Sequence, residues 1–208
     1  MDIIDSLKWR YATKKFDNDR IIPQDKINLV KEAFNLTATS YGMQPIKLVI
    51  VKNKSLQEEL VKHSFDQRQV ALASHLLIFC ISDITDDTIV EYFDRVKEIR
   101  DTPDKILLPF KDYLLDSFSK KDEDEIKTYC TKQAYLAMGN LLTVCAVEGI
   151  DACPMEGFDP EAYDRKLGLS EKGLTSVLVM PIGYRAKDDF FSSLKKVRKT
   201  VAESTLEL

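Results

Sequence analysis

The chain has 208 residues, 44% of them hydrophobic and 31% charged, and a formal net charge of −4. That length suits a single domain with a full core, and the composition is that of an ordinary soluble protein. The acidic balance points away from nucleic acid and anionic membranes, and no apolar run reaches membrane-spanning length.

The start, MDIIDSLKWR, lacks a basic opening followed by a long apolar run, so it does not read as a signal peptide and a cytoplasmic location is expected. Ile3, Ile4, Leu7 and Trp9 predict a short amphipathic helix ending near Arg10. WRYATKKFD then gathers Arg10, Lys14 and Lys15 among aromatics, with Lys8 just ahead. Such charge marks either a solvated helix end or an anion site, and the segment alone does not choose. Pro23 opens a second helix with Ile27, Val30, Ala33 and Phe34 at helical spacing. TATSYGMQP breaks that pattern and reads as a loop. KLVIVK and SHLLIFCIS read as buried strands, with a helix at SLQEELVKH between them.

From Asp86 to about Lys121 the pattern predicts helices, with a break around Pro103 and Pro109. The acidic run KKDEDE is most simply a solvated helix start. The longest helical pattern follows, to Val147, and AYLAMGNLLTVCAV is apolar on nearly every face. A helix of that kind is expected to be buried all round, by its own domain and by a second subunit. DACPM predicts a short strand, FDPEAYDRKLG a capped helix and LTSVLVMPIGY another strand. The tail is polar and basic, with STLEL able to form a strand against something else. The expected architecture is one α+β domain over residues 1–208: a mixed or antiparallel sheet of about four strands flanked by helices.

Several chemistries are pruned by composition. With only His63 and His75, a histidine metal site or a Ser–His–acid triad is not supported, and His75 before a buried strand reads as structural. There is no GxGxxG and no GxxxxGK[ST]. Cys80, Cys130, Cys145 and Cys153 have no CxxC spacing and read as buried free thiols.

Five dispersed segments remain, RYATKK, TSYGMQP, FDQRQ, PMEG and a final KKVRK, with KQAYLAMGN between the third and the fourth. In that order and over nearly the whole length, the chain resembles the FMN-dependent nitroreductase family, in its oxygen-insensitive NAD(P)H nitroreductase and dihydropteridine reductase branch. The resemblance implies FMN as cofactor, NAD(P)H as hydride donor, and a homodimer with an exchanged C-terminal strand and the flavin in the cleft between subunits. It implies that Arg10, Lys196 and Arg198 converge on the FMN phosphate, with Tyr11 and Ala12 in the same segment. The family often has a hydroxyl at the position of Ala12, so one phosphate contact is absent here. Lys14 would lie by the flavin pyrimidine edge and stabilise negative charge on reduction. Thr39, Ser40 and Gln44 would line the ring from the loop. Pro154 would pack against it, and the backbone N–H groups of Glu156 and Gly157 would approach N5 and O4, with glycine leaving room for the ring.

The branch tends to carry an Asn and, three residues on, a Lys where this chain has Asp66 and Gln69. Asp66 can still accept from flavin N3–H, whereas Gln69 supplies no charge. The implied activity is reduction of electron-poor small molecules (nitroaromatics, quinones or pterins) by alternating hydride transfer. Two competitors are an FMN-binding protein without significant turnover, for flavin storage or sensing, and a ligand-free structural dimer.

Overall fold

The computed structural model describes residues 2–208. Four strands, β1 (Ile46–Val51), β2 (His75–Ser82), β3 (Asp151–Ala152) and β4 (Leu174–Gly183), form one antiparallel sheet in the order β1-β2-β4-β3. Its centre is β2, whose sequence HLLIFCIS shows no polar alternation because both faces are covered. Leu77, Phe79 and Ile81 enter one core, and Leu76, Ile78 and Cys80 enter the other. That is strand period two with apolar partners on both sides.

The helices are α1 (Ile3–Trp9), α2 (Gln24–Asn35), α3 (Lys54–Val61), α4 (Gln69–Leu72) and α5 (Asp86–Arg100), then α6 (Asp104–Ser119), α7 (Glu123–Val147), α8 (Pro160–Leu167) and α9 (Val201–Ser204). Ile27 and Val30 of α2, Ile89 and Phe93 of α5, Leu114 of α6 and Leu141 of α7 fill the first core. Leu60 of α3, Val70 of α4 and Tyr163 of α8 help to fill the second. The α+β architecture is as expected.

Sequence signals set several boundaries. Asp122 caps α7 reciprocally with Glu125, so the KKDEDE run is a helix start. Asp159 caps α8, and Gly168 ends it at a φ of 60°. All four cysteines are free and buried, and buried His75 shares a 2.9 Å hydrogen bond between its Nδ1 and Ser74 Oγ. None of the described helices is long and apolar enough to cross a membrane.

One expectation is corrected. The α5–α6 break lies at Asp101–Pro103 alone, and Pro109 sits inside α6. There the helix gives up the bond its missing N–H would make, and continues. Within one chain α7 is covered by the sheet, α1 and α2, and Tyr135, Leu136 and Val147 are left exposed. The opening helix ends at Trp9, as expected near Arg10; it buries Ser6 while Ile3 and Ile4 face outward. STLEL, expected to pair only outside its own chain, forms no strand within it. Ser204 closes α9, and the exposed residues that follow pair with no strand of the same chain.

Candidate functional site

The opening segment after α1 runs along the β3 edge of the sheet. Ala12 bridges to Ala152, Thr13 N donates to Ala152 O at 3.3 Å, and Phe16 bridges to Arg185. Gly183 permits this approach: a Cβ there would lie 2.9 Å from Phe16 Cδ1 and 3.1 Å from the Ser74 backbone N. The segment is thereby set beside Cys153, which begins the CPMEG turn. Lys14 Nζ reaches Cys153 Sγ at 3.5 Å. Burial pushes the Cys153 thiol up, and Lys14 pulls the other way.

Arg10, Lys196 and Arg198 come together at the end of α1. Lys196 Nζ donates to Leu7 O in the last turn of α1 at 2.8 Å and also to Arg10 O just beyond it. Burial, and then Arg198, lower the Arg10 guanidinium; burial, and then Arg10 and Arg198, lower Lys196. Among the described residues no carboxylate pairs with any of the three. Arg10 Nε is buried without a hydrogen-bond partner. Mutually repelling cations with an orphaned buried donor are what an anion site requires, and a phosphate fits them. Lys8, by contrast, pairs with Asp5 on the surface.

Tyr11 lies in the same segment, but its hydroxyl is committed to Asp189 at 2.9 Å. Ala12 is held by its bridge to β3 and offers only backbone.

The CPMEG turn carries the second group. Pro154, Met155 and Glu156 line an open depression of about 470 Å³ with Tyr135, Met138, Gly139 and Leu142 of α7. Tyr135 OH donates to Glu156 Oε1 at 2.6 Å, a bond that raises the Tyr135 pKa. Among the described residues the N–H groups of Glu156 and Gly157 donate to no acceptor, whereas Met155 N and Phe158 N are both bonded. Two free adjacent donors are thus presented at one turn. A Cβ at Gly157 would lie 3.0 Å from Gln67 Nε2, so the chain itself crowds this glycine.

The Asp66–Gln69 segment lies against that turn. Gln67 Nε2 donates to Gly157 O at 2.8 Å, and Gln69 Nε2 donates to Gln67 Oε1 at 2.9 Å. Gln69 is buried beside Met155 and Cys153, and Asp66 is exposed with a φ of 57°.

Thr39, Ser40 and Gln44 are the residues that one chain does not bring to this place. Their loop is pinned to the other side of α7. Ser40 N donates to Gln133 Oε1 at 2.8 Å, and Tyr129 OH donates to Ser40 O at 3.0 Å. Thr39 Oγ1 accepts from Gln44 N, and Gln44 Nε2 donates to Asn35 O at 2.7 Å. Gln133 and Tyr135 are about 200° apart around a helix, so loop and turn flank opposite faces of α7. Of the five non-glycine residues with positive φ among the described residues, Tyr41, Gln44, Phe65 and Asp66 fall in these two candidate segments. Such conformations concentrate at functional sites.

Residues 7–184 match the sequence pattern of the nitroreductase family. The chain belongs to that family. It is 30% identical, over 99% of both chains, to the oxygen-insensitive NAD(P)H nitroreductase of Salmonella typhimurium. It is also 30% identical to the major NAD(P)H-flavin oxidoreductase of Aliivibrio fischeri, over 95% of this chain and 94% of that one. A nitroreductase structure from Exiguobacterium sibiricum, solved in complex with FMN, superposes with a TM-score of 0.85 at 18% identity. It covers 100% of this chain and 98% of its own, which establishes the shared fold.

Sequence reasoning missed Asp189, Asp151, Arg185 and Gln67. Asp151 accepts from Arg185 Nε and from Arg185 N, each at 2.8 Å, and the Arg185 guanidinium stacks over Trp9 and Tyr11 at 4.1 and 4.5 Å. These residues hold other residues in place; Gln67 sits within the Asp66–Gln69 segment but was not itself singled out, and the other three belong to no short motif. The doubled acid DDF, following the β4 strand pattern, was the one signal available for Asp189.

Proposed function

We propose that this protein is an FMN-dependent NAD(P)H oxidoreductase that passes reducing equivalents to electron-poor small molecules such as nitroaromatics, quinones or pterins. The carrying observation is the cluster of Arg10, Lys196 and Arg198, unpaired with any carboxylate and with a buried orphan donor, on an opening segment whose Lys14 reaches the turn that offers two free N–H groups. Bound FMN supplies a site that accepts a hydride from NAD(P)H and then gives it to the acceptor.

The protein's part is binding, orientation and charge. Arg10 and Arg198 grip the phosphate by charge-assisted bonds, and Lys196 adds positive charge while it caps α1. Lys14 favours negative charge on the pyrimidine side of the ring. The N–H groups of Glu156 and Gly157 offer uncharged donors that need no proton movement. Pro154 and the ring-facing edge of the turn exclude water, and Tyr135 fixes the Glu156 side chain clear of the donors. Gln69 and Gln67 brace the turn from behind, and Asp66 remains free to accept from the ring.

The working unit in this reading is a homodimer. A second copy across the exposed face of α7 would bring its Thr39–Gln44 loop to the first copy's Pro154–Gly157 turn, closing a cleft that neither chain closes alone. The outward Ile3, Ile4 and Leu136 support an interface there.

Anaerobic titration of the purified yellow protein with NADH and NADPH tests the reading. Bleaching of the flavin band, reversed on adding a quinone or nitroaromatic, is the expected result. Flavin that stays oxidised under both nucleotides would leave a binding protein without turnover; a colourless protein that takes up no FMN would reject the cofactor.

A further inference from the structure

The two basic segments of the cation cluster are far apart in sequence, one after α1 and one in the tail, so something must bring them into register. Asp189 is buried at 4% exposure directly before the turn Phe190–Ser193 that begins the tail. Its Oδ2 accepts three donors from the opening segment: Tyr11 OH at 2.9 Å, Lys14 N at 3.1 Å and Lys15 N at 3.3 Å. Its Oδ1 accepts from Phe191 N at 3.2 Å, and Ser192 Oγ donates to its carbonyl at 2.7 Å. One carboxylate thus faces the opening segment with one oxygen and caps the root of the tail with the other. Ala186 N adds a 2.9 Å bond to Lys15 O, and Asp188 pairs with Lys15 outside.

Tyr11 is suited to this bond. Its hydroxyl is pushed up to about 12, by burial first and then by the hydrogen bond to Asp189, so it stays a donor at neutral pH. The Arg185 guanidinium over its ring fixes the other end of the side chain. From the anchored turn the chain returns to α1, where Lys196 meets Leu7 O and Arg10 O.

We infer that Asp189 is a positioning residue for the phosphate site, joining the Tyr11–Lys15 segment to the root of the tail so that Arg10, Lys196 and Arg198 converge on one anion. This rests on the FMN reading above for the identity of the anion. Asp189 touches no ligand, and loss of a carboxylate from the protein would by charge alone favour binding of an anion. By geometry its removal weakens binding, because the tail cations must then be ordered at the moment of association. The sign of the effect therefore separates the two.

The test uses the full chain with Asp189→Ala, the isosteric Asp189→Asn, and Tyr11→Phe, which removes a single donor. Dissociation constants for FMN and for riboflavin, which lacks the phosphate, are measured on flavin-stripped protein. Tryptic cleavage in the Lys195–Lys199 stretch is timed on the same stripped protein. The inference expects FMN affinity to fall about tenfold in Asp189→Ala, equivalent to about 1.4 kcal/mol. Riboflavin affinity should change less than about twofold, and tail cleavage should speed up, with Asp189→Asn and Tyr11→Phe intermediate in both. Unchanged or tighter FMN binding overturns it. Equal losses for FMN and riboflavin also overturn it, since they report general loosening. If Asp189→Ala does not fold, the other two variants decide by the same criteria. A wild-type protein that binds FMN no better than riboflavin would defeat the phosphate assignment, whereas cleavage unchanged by the substitutions would defeat the tether alone.

Discussion

Arg10 is where the energetics of the site are most exposed. Its Nε is buried without a partner and its guanidinium shares space with Arg198 and Lys196. Both features cost stability in the absence of an anion and are offset by one. Arg10→Ala should therefore weaken FMN binding by about 1.5–3 kcal/mol, the range for a hydrogen bond to a charged group, or roughly ten- to a hundredfold. Fluorescence titration of the stripped protein measures it, and an unchanged dissociation constant removes Arg10 from the phosphate site. Gln69 offers a second residue-level test. It is buried beside Cys153, the residue that Lys14 also reaches. Two charges about 4 Å apart at an effective dielectric near 20 interact by about 4 kcal/mol, which for a two-electron couple caps the effect near 90 mV. Gln69→Lys should raise the FMN midpoint potential by some tens of millivolts, below that ceiling. A level or lower potential in spectroelectrochemical titration would mean that this side chain does not act on the ring. At this scale the sequence announced the cations and the PMEG turn through their residue types. It did not announce Asp189, Arg185 or Gln67, whose roles exist only once distant segments meet.

Among the elements, α7 separates the two halves of the candidate site. Its inner face, with Ala134, Ala137, Met138, Leu141 and Cys145, is core, and its outer face leaves Leu136 exposed. The uniform apolarity of AYLAMGNLLTVCAV was legible as burial, but not which side would be covered within one chain. Leu142 is packed partly against the core, so Leu136 is the cleaner probe of the outer face. Leu136→Arg should leave the thermal transition of the isolated fold in place and produce monomers, because dimerisation would bury an unpaired charge. Sedimentation showing an intact dimer would free that face from the interface. The strands were legible as apolar runs bounded by turn residues, and so was Pro103 as a break. Pro109 misled because a proline can sit inside a helix at the cost of a single backbone bond.

On the scale of the whole molecule, the sheet ends in an open edge at β1, while β3 is flanked by the opening segment. Open edges invite another strand. Beside β1 lies a depression of about 520 Å³ lined by Phe34, Ile46, Leu48 and Ile50 among others. The tail ends with Leu206 and Leu208, exposed and two residues apart, as on one face of a strand. Exchange of this tail onto the partner's β1 edge would cover both surfaces. Leu206→Asp with Leu208→Asp should then raise the dimer dissociation constant by at least about tenfold, near 1.4 kcal/mol. A dimer of unchanged strength in sedimentation equilibrium would leave the tail without that role.

The central claim is that the clustered cations of α1 and the tail hold the phosphate of FMN. Its most direct test is a phosphorus-31 NMR titration of the FMN-loaded protein between pH 5 and 8. The second ionisation of a phosphate monoester ordinarily falls near pH 6. Arg10, Lys196 and Arg198 favour the dianion and should pull that ionisation below the titrated range, as opposite charges do for any acid. The bound phosphate signal should stay at its dianionic position throughout. A signal that moves through a midpoint near pH 6, as free FMN does, would contradict it.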